Sequence, residues 1–225
     1  MQVESLDHVA LWVADRDRLA AFLADGLGLR VIDRTDAFTL LGADARRGKL
    51  TLFASEGPRA PGALVRIGLR FADLERVAAG LPRELARERD GEAIAFIAPE
   101  GLGLALVEGG PDGDIDHVVL RMRDPARART ALLEHGLAKS PDGRLVAGDA
   151  FVDLLEGDPG AAEAPLLNHL GLRVESAADR LREARDRGFD VADVVDAANT
   201  LAVFVWGPEG VKLEYVEHKP SFSLV

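Results

Sequence analysis

The chain of 225 residues holds five histidines and no cysteine. Two of the histidines sit in short apolar runs, Ile115-Asp116-His117-Val118-Val119-Leu120 and Leu167-Asn168-His169-Leu170-Gly171-Leu172. A glutamate, Glu214, sits in a third run, Val211-Lys212-Leu213-Glu214-Tyr215-Val216. Two imidazoles and one carboxylate that leave coordination positions open form the ligand set of a non-haem Fe(II) site, or of a related divalent metal. Disulfides and thiolate metal sites are excluded by the lack of cysteine. The first expectation is therefore that His117, His169 and Glu214 meet on one ion.

Side chains of this kind need strands to aim them. Alternation sends every second residue of a strand to one face. That groups His117 with Ile115, Val119 and Arg121, and His169 with Leu167, Gly171 and Arg173. In the last run Lys212, Glu214, Val216 and His218 share a face. The opposite faces carry Val118, Leu120 and Met122, or Leu170, Leu172 and Val174, which suits packing beneath a helix.

The same run recurs four times, beginning at Leu6, Leu64, Ile115 and Leu167. A helix signal follows each, with Asp15, Asp73, Asp124 or Ser176 at its start and Gly26, Gly80, Gly136 or Gly188 near its end. Short strand runs with turn residues come next. Each unit reads strand, helix, strand, strand, strand, an α+β pattern of four βαβββ modules. Pro99-Glu100-Gly101 near the end of the second repeat matches Pro208-Glu209-Gly210 near the end of the fourth. The modules are expected to pair in order, into halves 1–110 and 111–225, with Gly109–Asp114 as the hinge. Glu156–Pro165 reads as a loop leading into the fourth module.

Comparing the halves sets the ligand positions side by side. His8, Thr51, Arg66 and Ala105 occupy them in the first half, and His117, Asp153, His169 and Glu214 in the second. By this comparison the first half is a scaffold with a degenerate site, the second half carries the metal, and His8 is a structural, hydrogen-bonded histidine. Asp153 is either a further ligand, a group that orients a histidine, or an exposed strand residue. His135, at a helix end, is expected to complement the C-terminal dipole. Arg121 and Arg173 are candidate forks for an anionic or oxygenated substrate.

Four such modules, with histidine in the first strand and glutamate in the last, resemble the vicinal oxygen chelate superfamily of glyoxalases, bleomycin resistance proteins and extradiol dioxygenases. The resemblance covers almost the whole chain. It implies paired modules that curve into two incomplete mixed β-barrels around a metal-centred cavity. It also implies a substrate chelated through neighbouring oxygens, with Fe(II) or Mn(II) favoured and Zn(II) or Ni(II) as alternatives. The four-module order is most like the extradiol ring-cleaving dioxygenases, acting on a catechol-like substrate. Those enzymes usually add an acid–base histidine and a tyrosine near the metal. This chain has no histidine between Leu170 and Glu217, and Phe204, a candidate substrate contact, stands where the tyrosine is expected. A metal-dependent isomerase, epimerase or lyase with Asp153 as catalytic base is the alternative, and a metal-free small-molecule binding protein is the third reading.

Composition narrows the partners. A net charge of −11 argues against bulk nucleic-acid binding, which needs a basic face. No apolar run approaches the roughly 20 residues that span a bilayer, and the start of the chain lacks signal-peptide features. A cytoplasmic protein with a small-molecule substrate is expected, and exposed barrel edges would suit a homodimer.

Overall fold

A computed structural model describes residues 2–160 and 164–224. Residues 161–163 of the expected Glu156–Pro165 loop lie outside the described residues.

The four modules form as the repeats require. The first has strand β1 (Ser5–Val13), helix α1 (Arg16–Ala21, prolonged by a wider turn over Phe22–Gly26), β2 (Arg30–Arg34), β3 (Phe38–Asp44) and β4 (Arg47–Ala54). The second has β5 (Leu64–Phe71), α2 (Leu74–Gly80), β6 (Arg87–Asp90), β7 (Ala93–Ile97) and β8 (Gly103–Glu108). The third has β9 (Ile115–Met122), α3 (Pro125–Glu134), β10 (Ala138–Lys139), β11 (Leu145–Ala147) and β12 (Ala150–Glu156). The fourth has β13 (Leu167–Arg173), α4 (Ala177–Asp186), β14 (Val191–Asp196), β15 (Thr200–Trp206) and β16 (Lys212–His218).

Each helix starts at the residue whose side chain can hold its first turn. Asp15, Asp73, Asp124 and Ser176 accept hydrogen bonds from the backbone N–H three residues on. Each such cap stabilises its helix by about 1 kcal/mol. The apolar faces of the first strands are fully buried, with Val118, Leu120 and Met122 on β9 and Leu170 and Leu172 on β13 in the common core. Burial of each large aliphatic side chain contributes roughly 1.5–3 kcal/mol. The opposite faces mix apolar residues with His117 and Arg121 on β9 and with His169 and Arg173 on β13.

The pairing of the modules differs from the sequence expectation. Within every module the first strand runs parallel to the last, as β1 with β4 and β13 with β16. The first strands then join modules antiparallel, and they join β1 to β13 and β5 to β9. One eight-stranded sheet runs β14-β15-β16-β13-β1-β4-β3-β2, and the other β10-β11-β12-β9-β5-β8-β7-β6. The outer modules share one sheet and the inner modules the other, so the sheets do not correspond to halves 1–110 and 111–225. The reason lies in Gly109–Asp114, which is a tied corner and not a hinge. Gly109 N–H donates to Phe71 O (3.0 Å), Gly113 N–H to Arg70 O (2.7 Å), and Ala72 N–H to Asp112 Oδ1 (2.7 Å). These bonds turn the chain back beside β5, so β9 pairs there at once.

The two sheets are also stitched by their turns. Glu100 accepts from the N–H groups of Ala14 (2.7 Å) and Asp15 (3.3 Å) at the start of α1. In the same way Glu209 accepts from Arg123 (2.9 Å) and Asp124 (3.0 Å) at the start of α3. Both glutamates lie at positive φ, 65° and 49°. The repeated Pro-Glu-Gly is thus a turn of one sheet that reaches a helix of the other.

Candidate metal centre

Because β1 lies against β13, His8 and not His117 reaches His169. In the register His8 faces Gly171, and Ala10 faces His169. A Cβ on Gly171 would fall 2.3 Å from the His8 ring, so only glycine lets the imidazole lie across its neighbouring strand. Glu214 comes from β16, in register with Gly171 on the other side. His8, His169 and Glu214 are all buried, and their ligand atoms gather at one point. His8 Nε2 is 2.9 Å from His169 Nε2 and 2.9 Å from Glu214 Oε2, and His169 Nε2 is 2.8 Å from the same oxygen.

The remaining ring nitrogens explain this orientation. His8 Nδ1 is held by Asp7 Oδ2 (2.8 Å), and His169 Nδ1 by Asn168 Oδ1 (3.1 Å). With Nδ1–H donated to an oxygen, each neutral ring turns a bare Nε2 lone pair inward. Two lone pairs and a carboxylate oxygen then face one another, an arrangement that calls for a cation. Their spacing suits one, since ligands at right angles around an ion with bonds of about 2.0–2.1 Å lie about 2.9 Å apart. The residues present therefore fit a divalent metal held by His8, His169 and Glu214.

A buried ion network backs the first histidine. Asp7 is 1% exposed, yet Lys49 Nζ lies 2.8 Å from its Oδ2 and His218 Nε2 lies 2.9 Å from its Oδ1. Burial alone would raise the Asp7 pKa. The Lys49 charge and the hydrogen bonds from His218 and His8 outweigh it and hold the carboxyl well below the usual range. Without an ion, burial works against a charged His8, but Glu214 and Asp7 overcome it and push its pKa up to about 9. Burial likewise disfavours ionised Glu214, and the adjacent His8 and His169 reverse that, bringing it to about 2. Burial keeps His169 on the low side of its ordinary value. A proton on His8 thus occupies the role that a metal would take over, and metal binding must release it.

The triad opens into a cavity of about 400 Å³. Phe38, Leu40, Phe53, Phe204 and Val216 supply apolar walls, while Thr51 and His218 line it among polar groups. Phe204 meets the His169 ring edge-on at a centroid distance of 5.1 Å. The candidate substrate contact Phe204 is therefore beside the centre.

The sequence profile of the Glyoxalase/Bleomycin resistance protein/Dioxygenase superfamily matches residues 5–215. The chain belongs to this superfamily. No curated protein sequence matches it significantly. Among solved structures, it resembles a candidate dioxygenase from Bacillus subtilis, with a TM-score of 0.77 at 22% identity over 98% of this chain and 87% of that one. Glyoxalase I from Zea mays gives 0.71 at 16% identity, over 95% and 92%. The cppA protein of Streptococcus pneumoniae gives 0.66 at 13% identity, over 96% and 100%. At these identities the likeness speaks for the superfamily fold alone.

Several expected site residues of this superfamily member lie elsewhere. His117 is on β9 in the other sheet, stacked over Gly68, with Nδ1 2.8 Å from Asp116 Oδ2. It cannot join His169 and Glu214, which belong to the β1 sheet. The partner positions there are Arg66, paired with Asp90 at 2.7 Å, and the buried Ala105, neither of which is a ligand. Asp153 shares that second sheet and is gripped by Arg144 through two bonds of 3.1 and 2.7 Å, so it is neither a ligand nor a base at the triad. Arg121 is exposed on β9 in the second sheet. Arg173 is in the right sheet, but its Nε pairs with Glu4 at 3.0 Å, and neither arginine lines the cavity. His8, expected to be structural, takes the ligand position assigned to His117. The second sheet is thus the degenerate one, and the site draws on both ends of the chain. Among the described residues, no helix is long and apolar enough to cross a membrane.

Proposed function

We propose that His8, His169 and Glu214 hold a divalent metal, Fe(II) or Mn(II) in preference to Zn(II) or Ni(II). We further propose that the chain is a dioxygenase-like enzyme that opens a catechol-type ring bound through two neighbouring oxygens. One observation carries this reading: two imidazole Nε2 atoms and one carboxylate oxygen, all buried, lie within 2.8–2.9 Å of one another at the floor of an apolar cavity. Three protein ligands, two of them histidines, leave positions free for a chelating substrate and a small co-reactant. Bound there, the metal would supply Lewis acidity toward both oxygens and a route for electrons to O₂.

The chain's own residues would do the rest. Asp7 and Asn168 fix the tautomer and aim of the two imidazoles, which maintains their donor strength. Phe53 and Phe204, at 6.5 and 5.1 Å from the His169 ring, exclude water from the centre and offer faces to a planar substrate. The alternative of a proton-transferring isomerase relied on Asp153, and Thr51 occupies the equivalent place in this cavity. Asp153, the base assigned to that alternative, is thus missing from the cavity, whose carboxylates are Asp7, Asp33 and Glu214.

The test is elemental analysis of protein purified anaerobically, for the wild type, His8→Ala and His117→Ala. Wild type and His117→Ala should carry about one equivalent of metal per chain, and His8→Ala close to none. Reconstitution with Fe(II) or Mn(II) should then give catechol-dependent O₂ uptake that chelator abolishes. Equal metal in His8→Ala and wild type would overturn the site, and undiminished ligand affinity after chelator would point to a sequestering protein.

A further inference from the structure

The cavity lining holds a further histidine, which backs Asp7 and whose Nδ1 the metal reading leaves unused. His218 ends β16 on the same strand face as Glu214 and lines the cavity. Its Nε2 lies 2.9 Å from Asp7 Oδ1. Asp7 is a buried carboxylate already faced by Lys49, so it is ionised and only accepts; the proton must reside on His218 Nε2. In the neutral ring its Nδ1 then presents a lone pair. Among the described residues lining the cavity, this is the one buried side-chain nitrogen or oxygen without a hydrogen-bond partner.

One further contact holds the ring in place. Phe222 stacks on it, with centroids 4.2 Å apart and planes 12° from parallel. The Phe222 segment folds back onto the loop after β14, through Lys219 N–H to Asn199 O (2.9 Å) and Ser221 Oγ–H to Ala198 O (3.1 Å). Phe222 and Leu224 of this segment, Ala197–Asn199 of the loop and Thr200 of β15 all line the cavity. The segment contributes no strand to either sheet, so a small shift of it can admit a ligand group to Nδ1 without disturbing the ladder.

We propose that His218 is a specificity-determining residue, whose Nδ1 accepts a hydrogen bond from a hydroxyl or ammonium group at the end of the substrate remote from the chelated oxygens. The substrate class is then an apolar, ring-containing diol that carries a hydrogen-bond donor on a short side chain. An unpaired buried acceptor rewards a ligand that satisfies it and penalises the isostere that does not. The proposal rests on chelation at His8, His169 and Glu214, and the test separates the two.

The Zn(II)-loaded chain is titrated calorimetrically under nitrogen with catechol, 4-propylcatechol and 4-(2-hydroxyethyl)catechol, the last two being near-isosteric. Wild type should bind the hydroxyethyl compound about tenfold more tightly than the propyl compound. In His218→Phe the ratio should fall to about one. His218→Gln, which can still donate to Asp7 and keeps a short polar group, guards against a folding defect, and its ratio should lie below the wild-type value. Equal affinities in wild type, or an unchanged ratio in either folded variant, would overturn the role of His218 alone. Failure of catechol itself to bind would overturn the chelation reading and this proposal with it.

Discussion

At the scale of single residues, a glycine decides where a ligand can lie. Gly171 carries no Cβ, and the His8 ring fills that space at 2.3 Å from the position a Cβ would take. Gly68 does the same for His117 in the other sheet, also at 2.3 Å. Alanine at either site must push the ring away, a clash with a side chain fixed by the preceding aspartate. Gly171→Ala should therefore weaken metal binding by about 10–100-fold, as does the loss of other groups that orient a ligand. Gly68→Ala should leave metal affinity unchanged while lowering stability by a similar 1–3 kcal/mol. Competition against a chelating dye reads the first effect, and urea unfolding the second. Equal metal loss in both variants would contradict the site. The residue types were legible in the sequence: His169 and Glu214 do meet, and Phe204 lies beside them. The third ligand was not, because His8 and His117 sit in nearly identical contexts, each after an aspartate in an apolar strand.

At the scale of elements, strand, helix and cap were readable because each has a local cause. The four caps stand where the sequence put them. The Pro-Glu-Gly turns were readable only as a match between the second and fourth repeats. Their long-range role, a carboxylate reaching two N–H groups of a helix on the other sheet, leaves no local pattern. It does leave a testable cost. Glu209→Ala loses both bonds to Arg123 and Asp124 and keeps a Cβ at φ 49°, so it should destabilise the chain by about 1–2 kcal/mol. Glu209→Gly loses the same bonds but suits the left-handed backbone, and it should recover about 1 kcal/mol of that loss. Urea midpoints should therefore order wild type above Gly above Ala. Alanine equal to wild type would mean that the two bonds contribute nothing to the α3 start.

At the scale of the whole molecule, the pairing of modules could not be read from the repeats. Histidines in the first and third units and glycines in the second and fourth suit either order of pairing. Each order gives one complete ligand set and one defective one. Only the corner at Gly109–Asp114, with its bonds back to β5, decides between them, and those bonds depend on tertiary geometry.

The nested order also makes a seam between the sheets, where a second histidine shows a different use. His135 caps α3 of the inner pair and touches the outer pair: its Nδ1 is 2.9 Å from Tyr215 Oη, and Tyr215 donates back to its carbonyl at 3.0 Å. Burial, together with the Arg187 and Arg180 charges, pushes its pKa down to about 4. It is therefore neutral at pH 7 and does not complement the helix dipole as the sequence suggested. The unfolded chain binds this proton near the ordinary value of 6.5 and the folded chain only near 4. Stability is thus complete above about pH 6.5 and is lost as the pH falls from there towards 4. At pH 5 this one group should cost about 2 kcal/mol relative to pH 7.5. His135→Gln cannot take up the proton, so urea unfolding at the two pH values should show a smaller acid loss in the variant by about that amount. An identical loss in both proteins would mean that the acid sensitivity of the seam resides in another group.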